Sequence, residues 1–123
     1  PTGQLDLIKP NDLAITDFCQ KHDIVGFHIF ELCTSESPFT ASCRNFAPLF
    51  GIPEESATGS ASGALACYLA EHLSLANDYI FEQGRSMNCA SVITASVGFQ
   101  GGKIASVQVG GVANKIGTMQ VSV

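Results

Sequence analysis

The feature that most constrains this chain is the run Ala64-Leu65-Ala66-Cys67-Tyr68-Leu69-Ala70, which leaves no polar side on two consecutive turns of a helix. A helix that is apolar all round is expected to be buried all round, because any exposed side would hold apolar surface in water. Stretches rich in β-branched and aromatic residues on both sides of it supply strands to do the burying. Its small side chains would let those strands approach closely. The expected fold is therefore α+β, a curled, barrel-like mixed sheet wrapped around one central apolar helix.

The residues just before that run suggest chemistry. Gly51-Ile-Pro-Glu-Glu-Ser-Ala-Thr-Gly-Ser-Ala-Ser-Gly63 joins a small-residue turn to the start of the helix. Thr58 is placed to cap the helix through its hydroxyl, and Gly59, Ser60 and Ala61 leave the first backbone N–H groups unobstructed. These donors lie at the positive end of the helix dipole, where a carboxylate or phosphate is held.

Elsewhere, Gln4 to Lys9 alternates as a strand, and Pro10-Asn11-Asp12 opens a helix that ends near Asp23. Ile24 to Cys33 and Phe39 to Phe46 read as strands, and Ala47 to Ala57 as a loop. From Ser91 to Val123 the chain is dense in Val, Ile, Thr and Gly. Gly98-Phe-Gln-Gly-Gly102 marks a hairpin turn, and Val107 to Val109 and Met119 to Val123 continue the sheet. No linker or repeat interrupts residues 1–123, which form a single domain.

Composition excludes several function classes. With 46% hydrophobic and 14% charged residues, 123 residues can bury a core. A net charge of −5 with six Lys and Arg offers no basic stripe for nucleic acid. No apolar run of about 18 residues is present for a membrane span. Five Cys at wide spacings, without a Cys-x-x-Cys, argue against a zinc site and fit a reducing cytoplasm. Cys43 and Cys89 flank the anion-site sequence and are the thiols expected to show any reactivity. His22, His28 and His72 are scattered and make no dyad. The Gly-Gly pairs at 101–102 and 110–111 form no nucleotide-binding loop.

The stretch Arg44-Asn-Phe46-Ala47-Pro48-Leu-Phe-Gly51-Ile52-Pro53-Glu54-Glu55-Ser56-Ala57-Thr58-Gly59-Ser60-Ala61-Ser-Gly63 resembles the pattern Arg-x-Phe-Ala-Pro-x-x-Gly-Ile-Pro-Glu-Asp-Pro-Ala-Thr-Gly-Ser-Ala-x-Gly of the PhzF-like phenazine-biosynthesis proteins. The match continues through Glu82-Gln83-Gly84 and Met87 to Val109-Gly110-Gly111. The resemblance implies one half of a diaminopimelate-epimerase-like fold and a cofactor-independent isomerase that moves a proton on a small carboxylated substrate. No metal is implied. The family's first domain supplies a catalytic Glu and a Gly-His pair. Neither is matched here, so the chain resembles the C-terminal domain alone, and its start at Pro1 without Met fits a longer product.

By the same resemblance Glu55, in the family's Asp position, and Ser60 are the candidate catalytic residues, and Ala57, Thr58, Gly59, Ser60 and Ala61 bind substrate. A carboxylate beside a bound anion suits the giving or taking of a proton. Ser56 stands where related epimerases carry a catalytic Cys, and with no His beside it reads as a turn residue. Arg44, on a strand before a loop, is expected to tie that loop to Glu54 or Glu55. Gly84 is expected at positive φ. An N-terminal domain or second chain would complete the site, and a homodimer is a further option. The competing readings are a non-catalytic anion-binding or assembly module and an inactive family member.

Overall fold

The computed structural model describes residues 3–73, 76–113, 115 and 117–121. The first helix, α1 (Asp12–His22), begins where Asn11 Oδ1 accepts the Ala14 N–H at 3.1 Å and ends at Asp23 in the left-handed conformation. Six strands follow in one mixed sheet: β1 (Phe27–Leu32), β2 (Ala41–Ala47), β3 (Ile52–Glu55), β4 (Asp78–Gln83), β5 (Ser91–Gln100) and β6 (Lys103–Gly111). Between β3 and β4 runs the apolar helix α2 (Gly59–Tyr68), which continues as a wider π turn over Leu69–Leu73.

The spatial order is β1-β2-β4-β5-β6, antiparallel except for the parallel pair β2–β4. The short β3 pairs antiparallel with β2 at Asn45↔Glu55 and Ala47↔Ile52, beyond the point where β4 ends its own pairing with β2 at Cys43↔Gln83. The ends of β3 and β4 therefore meet beside one strand. That junction lies next to the start of α2.

Alternation along the strands separates two packed faces. One face carries Ala41, Cys43, Tyr79, Phe81, Ile93, Ala95 and Val97, which pack with Leu65, Ala66, Leu69 and Ala70 of α2 and its continuation. The other covers Phe46 and Cys19 beneath α1 and the N-terminal segment. Gly63 lets α2 lie close to β6, since a Cβ there would stand 3.1 Å from Val109 Cγ2.

The sheet is mixed, as expected, but open: β1 and β6 are its two ends and do not pair. Helix α2 is covered by β4, β5 and β6 on one side, while Ala64 and Tyr68 are exposed on the other. Three further expectations are corrected. Gln4 to Lys9 is no strand; it makes a 3-10 turn at Leu5–Leu7, because the carbonyls of Leu5 and Ile8 are taken by the Arg44 guanidinium instead of a neighbouring strand. The segment from Ala47 to Ala57 is more than a loop, holding a 3-10 turn at Pro48–Phe50 and all of β3. Met119 to Val121 has no regular structure, and 122–123 lie outside the described residues. No described helix is long and apolar enough to cross a membrane.

Candidate functional site

At the start of α2 lies a hollow of about 500 Å³, lined by the polar His28, Asn45, Glu55, Thr58 and Ser60, with Ala47, Phe50, Ile52 and Ala61 among its apolar walls. Cross-strand register explains the polar side. His28 faces Asn45 across β1–β2, and Asn45 faces Glu55 across β2–β3. Directly opposed residues share a face, so three side chains form one row on the face that carries α2. Glu54, the neighbour of Glu55, points the other way.

Glu54 is held by Arg44 through a two-pronged pair, Nε to Oε1 and Nη2 to Oε2, both at 2.8 Å. The same guanidinium donates to Leu5 O at 3.1 Å and Ile8 O at 2.7 Å, and it lies over the Phe46 ring. These bonds hold the Glu54 carboxyl below the usual carboxylate range, against the opposite pull of burial, and Ser86 adds a further donated bond. Arg44 thus fastens β3 to β2 and to the N-terminal segment, the loop-tying role expected of it.

Thr58 occupies the N-cap position of α2, but its hydroxyl makes no capping bond to the helix. It donates instead to Oε2 of Glu55, three residues earlier in the chain, at 2.6 Å. The first backbone bond of α2 is Ser62 N–H to Thr58 O at 3.0 Å. The N–H groups of Gly59, Ser60 and Ala61 consequently have no acceptor among the described residues, as expected of the first turn of a helix. Ser60 is exposed in the hollow. Ala57 and Gly59 do not line it; Gly59 faces β6, where a Cβ would meet Val109 Cγ1 at 3.6 Å.

The residue that organises this turn is one that the sequence reading places in the family match without giving it a role. Gln83, 1% exposed at the end of β4, accepts the Thr58 N–H on Oε1 at 3.1 Å. Its Nε2 donates to Glu55 O at 2.7 Å and to Thr58 Oγ1 at 2.9 Å. Its signal was present in the alternation Tyr79, Phe81, Gln83, which places all three inside. The turn after it needs Gly84, whose φ is +87° and where a Cβ would lie 2.9 Å from Ser56 Cα and against Cys89 O. Ser56 is thus the packing surface for that turn.

His28, which the sequence reading sets aside as part of no dyad, lines the same hollow. Its Nδ1 lies 3.1 Å from Asn45 Oδ1, while Nε2 is buried with no hydrogen-bond partner among the described residues. Burial pulls its pKa below the ordinary imidazole value, outweighing the opposite effect of Asn45. Of the two watched thiols, Cys43 is buried and desolvation, with Cys33 nearby, pushes it up to about 12, which leaves it unreactive; Cys89 is exposed.

Comparison with known proteins adds the following. Residues 2–118 match the family described as phenazine biosynthesis-like protein. An uncharacterized isomerase of Deinococcus radiodurans is 41% identical over 78 residues, covering 58% of this chain and 25% of that protein. An uncharacterized isomerase of Schizosaccharomyces pombe is 26% identical over 109 residues, covering 85% of this chain and 58% of that protein. Among solved structures, a putative phenazine biosynthesis PhzC/PhzF protein from Clostridium difficile superposes with a TM-score of 0.67 at 21% identity, over 98% of this chain and 42% of that one. The chain therefore spans between a quarter and three fifths of the length of these relatives.

Proposed function

The chain belongs to the phenazine biosynthesis-like protein family, and on that premise we propose that it is the C-terminal, carboxylate-cradling half of a cofactor-independent isomerase. The substrate is a small carboxylated molecule on which a proton is moved from one carbon to another. The observation that carries this reading is the turn at Glu55–Thr58. Gln83 holds its backbone, Thr58 turns its hydroxyl to Glu55, and the first N–H groups of α2 stay free beside a carboxylate.

In this reading the substrate carboxylate is held by the N–H groups of Gly59, Ser60 and Ala61, with the Ser60 hydroxyl as a further donor. Preorganised donors there stabilise the charge that builds as the proton leaves. Glu55 gives or takes a proton at the substrate, while Thr58 fixes its orientation. Ala57 serves the turn rather than the ligand. A companion domain or second chain supplies the opposing base, covers the exposed side of α2 at Ala64 and Tyr68, and completes the wrapping of the sheet around the helix. Five free thiols suit a reducing cytoplasm.

The test uses the complete protein in deuterated water with a panel of small unsaturated carboxylates, following deuterium incorporation by NMR. Incorporation that falls by about a hundredfold or more in E55Q supports the reading. Incorporation that E55Q leaves unchanged removes Glu55 from the chemistry, and none across the panel favours a non-catalytic anion-binding module.

A further inference from the structure

The hydrogen bonds that end on Glu55 run in one direction, and their partners leave no choice about it. A backbone N–H only donates and a backbone carbonyl only accepts. The Thr58 N–H therefore takes the oxygen of the Gln83 side-chain amide, 3.1 Å away, and the Glu55 carbonyl takes its nitrogen, at 2.7 Å. With the amide so oriented, the second Nε2 proton goes to Thr58 Oγ1, at 2.9 Å. That hydroxyl has one proton of its own, which it donates to Glu55 Oε2 at 2.6 Å. The other carboxylate oxygen is the free end of this relay. Glu55 Oε1 accepts no hydrogen bond from the described residues, is not sealed from solvent, and belongs to a side chain that lines the hollow.

We infer that Gln83 is a positioning residue for the proton transfer: acting through Thr58, it closes Oε2 of Glu55 to protons and leaves Oε1 as the one oxygen that exchanges a proton with the substrate. The inference rests on the isomerase reading above, in which Glu55 carries the proton. As carboxylate or as acid, Glu55 receives the Thr58 proton on Oε2, so the acid form holds its own proton on Oε1. When Oε1 takes a proton from a substrate carbon, the electron pair of the broken C–H bond stays on the substrate and the new O–H bond forms on Oε1. The reverse step returns the proton to carbon. Without the Gln83 donor, the Thr58 hydroxyl is free to turn to other acceptors, and both oxygens of Glu55 are open to protonation. Gln83 is buried and lines none of the hollow, so it acts on the reaction without touching the ligand.

T58V separates the relay from the fold, because the Thr58 hydroxyl makes no capping bond to α2 and the extended backbone at this residue suits Val. T58S keeps the hydroxyl. The first measurement is the NMR signal of the Gln83 side-chain amide in the parent chain, T58V and T58S, with the backbone amides checking that each variant folds. In T58V one of the two Nε2 protons is expected to lose its hydrogen-bonded shift while the proton on Glu55 O keeps its own, and T58S is expected to restore both. The second is deuterium incorporation in the complete protein across the panel of unsaturated carboxylates. It should fall about tenfold in T58V and return in T58S. T58V/E55Q should fall no further than E55Q, because a group that acts through Glu55 has nothing left to act on. Unmoved Gln83 protons in T58V, full incorporation in T58V, or losses that multiply to about a thousandfold in the double variant overturn the inference and leave Glu55 in its role. No incorporation by the parent overturns both.

Discussion

Gln83 is the residue on which the geometry of the candidate site turns, and its removal has a calculable consequence. In Q83A the Thr58 N–H and Glu55 carbonyl lose their partner, while the Thr58 hydroxyl keeps Glu55 Oε2. Two stranded backbone groups in a partly buried turn cost about 1 kcal/mol each, with the lower values apt because water reaches the loop. Truncating a 1%-exposed side chain adds about 1 kcal/mol of lost packing. The sum is ~3 kcal/mol, which lowers the urea midpoint by about 2 M for a slope near 1.5 kcal/mol per M. Q83E is the sharper comparison. It keeps the shape but turns the Nε2 donor into an acceptor facing Glu55 O and Thr58 Oγ1, so it is expected to be no more stable than Q83A. Urea unfolding followed by circular dichroism measures both. A midpoint within 0.3 M of the parent for Q83A would refute the reasoning, and so would a Q83E variant as stable as the parent.

Four further outcomes follow from the structure. R44M leaves Glu54 without its two-pronged partner and the Leu5 and Ile8 carbonyls without donors, a loss of about 3 kcal/mol in urea unfolding. Because the Glu54 carboxyl is depressed in the folded chain, its stabilisation is complete above the unfolded value of about 4.3 and is lost as pH falls through the lower folded value. The stability gap between the parent and E54Q should therefore close on acidification below about pH 4, and a constant gap would deny the pairing. G84A forces a Cβ at φ +87° against Ser56 and the Cys89 carbonyl, lowering the melting temperature by several degrees, about 2 kcal/mol. In native thiol labelling Cys89 should react first and Cys43 and Cys19 last, with C89S abolishing the fast phase; rapid labelling of Cys43 would contradict its burial.

What was legible in the sequence is what local physics decides. Asn11 as a cap, Asp23 as a stop, the Gly101-Gly102 hairpin and the positive φ of Gly84 each depend on a few adjacent residues. So does the start of α2 after Thr58. What was not legible depends on distant partners. β3 contains a Pro and two acids and reads as loop; it is a strand because Arg44, ten residues away, clasps Glu54. β4 was missed because its parallel pairing with β2 is set by the chain crossing over through α2. The Thr58 hydroxyl was assigned to the helix because capping is the local option, and the structure gives it to Glu55.

The apolar run from Ala64 to Ala70 predicted complete burial, and one side of α2 is exposed instead at Ala64 and Tyr68. The principle is unchanged, since the side without cover lies where β1 and β6 fail to meet. Uncovered apolar surface of this kind is where further protein is expected to pack.

The separation of roles between Glu54 and Glu55 shows how fold and site are bound together. Successive residues on a strand face opposite sides, so a slip of β3 by one residue would exchange the two acids, sending Glu54 into the hollow and Glu55 to Arg44. Nothing in the side chains themselves prevents this, because both are Glu. Two outside contacts decide the register: the Arg44 guanidinium, whose fork also carries the Leu5 and Ile8 carbonyls, and Gln83 Nε2, which takes the carbonyl of Glu55. Both are buried, on separate strands, and they approach β3 from different sides. Loss of either would loosen the choice of which carboxylate meets the start of α2. Glu55 therefore owes its place in the site to an arginine and a glutamine that line none of the hollow.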